Sequence, residues 1–267
     1  MIRFGVSATL ISRGQHDRSG SSHHHRLINR CVGAAFGAGH TAGGSSRSTA
    51  RSNAAPAWPD DGSTRAVLAR TNRELLPAVV VALRLGLAFR APRIELLVDS
   101  PAVHEILAAA ASMLVPGETV LETVGRARTL TRRGPHRDVA TAMLGWAVGF
   151  GDIDAFAAGI RATCDRLTEL RTDDAALTLA TAHATKGLEF DHVAVVGMEI
   201  GRFPSARAVA GAEDPTRAYE EERRLAYVAW TRARRTLTLL YDPAVPSPFL
   251  LEAFTPDELG LAPTMDA

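Results

Sequence analysis

Two short runs constrain what this chain can fold into. Residues 177–182 (Leu-Thr-Leu-Ala-Thr-Ala) and 192–197 (His-Val-Ala-Val-Val-Gly) are almost continuously apolar and too short to be core helices. Such runs read as strands buried on both faces, the pattern of a parallel sheet covered by helices. A helical stretch over 219–235 and a closing strand over 236–241 follow. Upstream, 65–70 reads as another buried strand, Asn72 as the cap of a helix running to about Leu85, and Gly86 as its stop, with Pro77 early in that helix. A second short strand, 94–98, precedes Ser100-Pro101, a cap with proline at the first helical position, and a helix to about Leu114. Two more helices are expected over 138–150 and 153–170, with Gly151-Asp152 between them.

Strands alternating with helices imply an α/β fold with a parallel sheet. Residues 63–92 and 176–245 are then two parts of one α/β domain, interrupted by a helical insertion over 93–175. Pro246, Pro248 and Pro256 mark 246–267 as an irregular tail. Residues 1–62 carry seven arginines, three aspartates and the triplet His23-His24-His25 without a periodic apolar pattern, so they read as a disordered tail, and the histidines as solvated rather than metal-binding.

Net charge is only +1, so any polyanion site must be local rather than a property of the whole surface. Cys31 and Cys164 lie far apart and fit no metal-ligand spacing, which points to inert thiols in a reducing cytoplasm. No apolar stretch approaches the roughly 20 residues that a bilayer crossing requires, so no membrane association is expected. Residues 1–10 do not read as a secretory signal, although their arginine and serine leave an organelle transit peptide as an alternative.

Of thirty basic side chains, one is a lysine, Lys186. A phosphate-binding GxxxxGK[ST] loop needs a lysine to reach the terminal phosphates, and the glycine-rich run 33–40 has none. The candidate chemistry lies instead with arginines near probable strand ends: Arg70 after 65–69, Lys186 and Glu189 after 177–182, and Arg232 on the helix before the last strand. The planar arginine fork matches phosphate oxygens. Arg223, Arg224, Arg234 and Arg235 read more simply as solvated or paired with Glu220, Glu221 and Glu222. Phe203 and Trp230 read as packing residues, with base stacking as the alternative.

Three segments carry a resemblance. Thr181-Ala-His183-Ala-Thr-Lys186-Gly187-Leu188-Glu189-Phe190-Asp191-His-Val193 resembles motif V of the UvrD, Rep and PcrA superfamily 1 DNA helicases, and Gly197-Met-Glu-Ile-Gly201-Arg-Phe203-Pro204 continues it. Glu221-Glu222-Arg223-Arg224-Leu225-Ala226-Tyr227-Val228-Ala-Trp-Thr231-Arg232-Ala233-Arg234 resembles motif VI, and Ala66-Val-Leu-Ala-Arg70-Thr71-Asn72 is similar to motif IV. The resemblance implies a RecA-like second motor domain of the P-loop NTPase fold, with the insertion as a shortened counterpart of the accessory 2B subdomain. It further implies that Arg70 and Arg232 reach the γ-phosphate of ATP as catalytic arginines, that Glu189 contacts the ribose, and that Thr181, His183 and Lys186 couple the nucleotide cleft to single-stranded DNA.

The family's Walker A lysine and Walker B acids belong to its first motor domain and have no counterpart here. ATP and magnesium are therefore expected to act only together with a first motor domain that carries Walker A and B, and the chain alone is expected to be inactive. Two readings stand: the motor half of a 3′–5′ DNA helicase working with a P-loop half, or a noncatalytic truncated remnant or DNA- or partner-binding module. Recruitment to a RecB- or AddA-like complex fits the same motifs, but no nuclease signature follows motif VI.

Overall fold

The computed structural model describes residues 7–12, 58, 61–131, 134–259 and 261. It divides into two units, one formed by residues up to Arg93 and from Arg171 onwards, the other by Ile94–Leu170.

The first unit is built on a six-stranded sheet: β1 (Ser7–Ser12), β2 (Arg65–Ala69), β3 (Phe89–Arg90), β4 (Leu177–Thr181), β5 (Phe190–Val195) and β6 (Ala233–Tyr241). The spatial order is β1-β6-β5-β2-β4-β3, and every pairing is parallel. The parallel α/β arrangement expected from the sequence is present, and it fits a RecA-like second motor domain. β2 is central, with Arg65 level with Leu177 of β4 on one side and His192 of β5 on the other. All five of its residues are buried, which accounts for an unbroken apolar run rather than an alternating one.

Helix α1 (Asn72–Leu85) packs on β2 and β4, burying Leu75, Ala78, Val79 and Ala82. Its cap is Thr71 rather than Asn72: the Glu74 carboxylate turns back to accept the Thr71 N–H at 3.0 Å, while the Asn72 amide donates to the Arg93 carbonyl at 2.8 Å. Gly86 ends the helix at φ 66°, a left-handed conformation natural to glycine.

Several segments depart from expectation. No strand forms over 94–98. β3 comes earlier, at Phe89–Arg90, and Pro92, which has no N–H to give a ladder, lies just beyond it. Ser7–Ser12, inside the expected tail, pairs with Thr236–Tyr241 as an edge strand. The expected tail after 245 holds a short helix, Pro248–Ala253, because Ser247 caps it and Phe249 and Leu250 join the core. The histidine triplet, the glycine-rich run 33–40, Cys31 and residues 262–267 lie outside the described residues.

On the sheet face that receives Ala66 and Leu68, the core contains Val193, Val195, Leu237 and Leu239. The helix α7 (Pro215–Trp230), which follows the short α6 (Ala206–Ala210), closes this face with Leu225, Ala226 and Ala229. Its first turn is capped by the Asp214 carboxylate, which accepts the Arg217 N–H at 3.0 Å. Pro215 supplies the preset first position. Phe203 is fully buried in this core, and Trp230 packs partly buried against it.

The second unit is helical: α2 (Pro101–Ser112), α3 (Val120–Leu130), α4 (Pro135–Ala147) and α5 (Ile153–Leu170). Its core is built from Val103, Ile106, Val124, Met143 and Phe156. α3 is a helix beyond those expected, although Thr119 and Glu122 form the capping box that opens it. Thr119 Oγ1 accepts the Glu122 N–H at 3.2 Å, and Glu122 accepts the Thr119 N–H at 2.9 Å. No helix among the described residues is long and apolar enough to cross a membrane.

Phe156 has no exposed surface. Phe156→Ala is expected to cost about 3–5 kcal/mol, the combined loss of transfer free energy and the cavity left behind. Urea denaturation followed by circular dichroism measures this, and a loss below about 1 kcal/mol, ordinary for a surface change, would contradict the packing described.

Candidate functional site

Parallel strands give the sheet a carboxyl edge and an amino edge, and the candidate residues divide between them. At the carboxyl edge, Arg70 follows the last residue of β2, and Ala69 is level with Thr181, the last residue of β4. A 3-10 turn, Ala182–Thr185, carries the exposed His183 directly beyond it. From α7, the Glu222 carboxylate meets the Arg70 guanidinium side-on: Nε donates to both oxygens at 2.9 and 2.8 Å, and Nη2 to Oε1 at 2.6 Å. Glu222 also accepts the Ser205 N–H at 2.9 Å.

This pairing differs from the expectation that Glu222 serves the neighbouring arginines. Arg224 pairs with Glu221, and Arg223 pairs with Glu220 and, at 2.9 Å, with Glu252, all near the surface. Glu222 lies instead on the buried stripe of α7, at helical spacing with Leu225, Ala226 and Ala229, and is 5% exposed. A carboxylate inside an apolar i, i+3, i+4, i+7 pattern is the sequence signal that marks it out.

His183 sits in the field of this pair. Although the residue is exposed overall, partial desolvation of its ring by the surrounding protein holds its pKa below the usual histidine range, the Arg70 charge adds to that, and Glu222 opposes it. Nearby, burial raises the Glu74 carboxyl above the usual carboxylate range, against the Thr71 hydrogen bond and the Arg202 charge. Its carboxyl group lies over Gly197, whose φ of 74° suits a residue without a Cβ.

The amino edge holds the other set. Arg232 is not on the helix, which ends at Trp230; its carbonyl already accepts the Phe190 N–H at 2.8 Å and so begins the β5–β6 ladder. Its guanidinium lies on main-chain oxygens, with Nε donating to the Val228 carbonyl and Nη1 to the Leu188 carbonyl, both at 2.9 Å. Glu189 is one residue before Phe190, exposed and without a hydrogen bond among the described residues. Lys186 is likewise exposed and unpaired among them.

Beside this set, Asp191 accepts the Thr64 N–H and hydroxyl, each at 2.9 Å, and approaches Arg234 and Arg235. The Thr64 hydrogen bonds hold its carboxyl below the usual range. Asp61 faces Arg235 as well, so these two arginines have partners other than Glu220 to Glu222.

The registers place Arg232 level with Glu189, eight residues along the strand direction from Arg70. At ~3.3 Å per residue the two backbone positions are about 26 Å apart along the strands, while the Arg70 guanidinium itself is drawn to Glu222 on α7, the helix that ends two residues before Arg232. Arg232 thus lies level with Glu189, and Arg70 stands beside Thr181 and His183. Residues 182–189 run from one edge to the other, and α7 packs against their 3-10 turn.

The neutral His183 ring is favoured by the fold, so its stabilising contribution is complete above the unfolded value of about 6.5 and declines as pH falls through the lower folded value. Proton NMR of the ring is expected to show a midpoint below 6.5. A midpoint at or above the unfolded value would contradict the environment described.

Comparison with known proteins bears on these edges. Residues 158–243 match the UvrD-like helicase C-terminal domain. DNA helicase II of Escherichia coli (strain K12) is 53% identical over 66 residues, 25% of this chain and 9% of that protein. ATP-dependent DNA helicase PcrA of Leuconostoc citreum is 47% identical over 81 residues, 30% of this chain and 10% of that protein. A probable DNA helicase II homolog of Rickettsia conorii is 40% identical over 95 residues, 32% of this chain and 14% of that protein. The match thus spans roughly a tenth of these relatives' length. All the site candidates except Arg70 fall inside the matched segment, and with the parallel sheet that carries them they identify the C-terminal region of this chain as a UvrD/PcrA-type helicase C-terminal part.

Proposed function

We propose that this chain supplies the second motor half of an ATP-dependent DNA helicase or translocase, completed by a P-loop half carrying Walker A and B. The observation that carries this reading is the division of the candidate residues between two edges of one sheet, joined by the short connector 182–189. In this reading Arg70, Arg232 and Glu189 serve the nucleotide, and Thr181, His183 and Lys186 couple it to single-stranded DNA.

Arg232 and Glu189 suit a nucleotide held by a partner domain. Arg232 offers guanidinium donors to γ-phosphate oxygens once the two halves close, and the exposed Glu189 carboxylate can accept from ribose hydroxyls. The present partners of Arg232 are two main-chain carbonyls and the Thr231 hydroxyl, so no buried carboxylate has to be stranded when it turns to phosphate. Magnesium belongs, in this reading, to the acids of the P-loop half. Arg70, directly after the last residue of β2, is the second arginine offered to the γ-phosphate, and Thr181 and His183 present a hydroxyl and a ring nitrogen to the phosphate backbone of single-stranded DNA. Lys186, midway along the connector, adds a positive charge.

Coupling then follows from shape. The 182–189 connector begins after Thr181 and ends at Glu189, and α7 carries Glu222 near one edge and ends beside Arg232 at the other. A shift at either edge moves an element that contributes to both. The helical unit Ile94–Leu170 takes the place of a reduced 2B subdomain.

ATP hydrolysis by the purified chain is expected to be absent, and to appear, stimulated by single-stranded DNA, when a P-loop half is added. Arg232→Ala should then lower the rate about 10³-fold or more, the range for an arginine finger. Hydrolysis by the chain alone would overturn the split. DNA binding with no hydrolysis under any condition would leave a noncatalytic binding module.

A further inference from the structure

We propose that Glu222 is a positioning residue for ATP hydrolysis: it grips the Arg70 guanidinium by one edge and so holds the opposite edge ready for the γ-phosphate. This rests on the reading of Arg70 as a nucleotide contact in a motor completed by a P-loop half.

The donors already in use point to this role. Nε and Nη2 of Arg70 donate to Glu222, and Nη1 has no hydrogen-bond partner among the described residues. A guanidinium has two edges suited to oxyanions, and here a carboxylate takes one and leaves the other open. The Arg70 side chain is 17% exposed and that of Glu222 only 6%, so the occupied edge lies inward. The grip is itself anchored. Glu222 accepts the Ser205 N–H at 2.9 Å, and Leu225 and Ala226 on the same stripe of α7 are part of the core. That helix ends two residues before Arg232, so the hold ties both candidate arginines to one rigid element. An arginine so fixed loses little freedom on meeting a phosphate.

A purely structural ion pair would leave the same coordinates, but the two roles differ in sign. Phosphoryl transfer spreads negative charge over the γ-phosphoryl oxygens. Removing a nearby carboxylate should therefore, by electrostatics alone, speed the step or tighten ATP binding. Releasing Arg70 from its grip should slow the step and leave binding little changed, because an arginine finger acts mainly in the transition state.

The test is single-turnover ATP hydrolysis by the full chain with a P-loop half and single-stranded DNA, with steady-state kinetics to give KM. The amplitude reports the fraction of competent protein, and the rate constant reports the chemistry. Glu222→Gln is expected to lower the rate constant about 10²-fold, the effect of a misplacement on the order of 1 Å, with KM for ATP changed less than about twofold. Glu222→Asp, which keeps the carboxylate, should recover part of the rate. Arg70→Gln/Glu222→Gln should be no slower than Arg70→Gln alone, since both residues act through one contact.

An unchanged or faster rate constant for Glu222→Gln, beside a slow Arg70→Gln, overturns the positioning role and leaves Arg70 at the nucleotide. A smaller amplitude at an unchanged rate constant does the same, by reducing the pair to a fold contact, and so does a double variant slower than Arg70→Gln alone. Arg70→Gln at full rate overturns the nucleotide role of Arg70 and the positioning role with it, while the motor reading then rests on Arg232. No hydrolysis by the unaltered chain with a P-loop half overturns the motor reading and this inference together. Should Glu222→Gln not fold, Arg70→Lys reads the same property, because it keeps the charge and the pairing but has no second edge to present. It is expected to show the same loss of rate constant, and an undiminished rate overturns the proposal.

Discussion

The double register of β2 is the constraint on which the rest of this unit depends. Because Arg65 is level with Leu177 on one side and with His192 on the other, β2 and β4 start and stop together, while β5 begins two residues earlier, at Phe190. A slip by one residue would turn Ala66 and Leu68 away from α7 and expose an apolar face, so the burial of both sheet faces fixes the register. That register also fixes where each strand releases its chain. Arg70, Thr181 and His183 emerge on one side of the sheet, and Glu189 and Arg232 enter from the other.

Glu222 gives the arrangement its rigidity. A carboxylate removed from water is stable only with donors around it, and Glu222 has the Arg70 fork and a main-chain N–H. Breaking a buried pair from one side typically costs about 3–5 kcal/mol, because the remaining charge is stranded. The exposed pairs on the same helix, Arg223 with Glu220 and Arg224 with Glu221, sit in water. Pairs of that kind contribute about 0–1 kcal/mol each. One helix thus carries a tightly held carboxylate on its buried stripe and weak ion pairs on its outer face, and only the first ties it to another strand.

Much of the sheet is legible in the sequence because burial on both faces leaves a plain mark. The runs at 65–69 and 177–181 are recognisable without a partner in view, and Gly86 and Ser100-Pro101 mark helix ends through local backbone chemistry. β3 escapes such reading because two residues carry no period, and their pairing with Leu177 is a tertiary fact. β1 is hidden for a related reason: a six-residue edge strand within a polar, glycine-rich segment is held by the open edge of β6 rather than by its own composition. The candidate residues can be picked out by motif. Their grouping cannot, since which arginine stands near which is decided by strand direction and register.

The connector between β4 and β5 has a mechanical consequence. From Thr181 to Phe190 the chain must descend six strand residues and move across two strand spacings. At strand geometry that is a span of about 22 Å. Four of the connecting residues are wound in a 3-10 turn. A second turn follows directly, in which the Leu188 N–H donates to the Thr185 carbonyl at 2.9 Å, so little of the connector is left as extended chain. Such a segment has almost no slack. It behaves as a strut rather than a loop: its ends cannot move independently by more than a few ångströms unless one of the two turns opens, and the turns are therefore where length could be stored or released between the two edges.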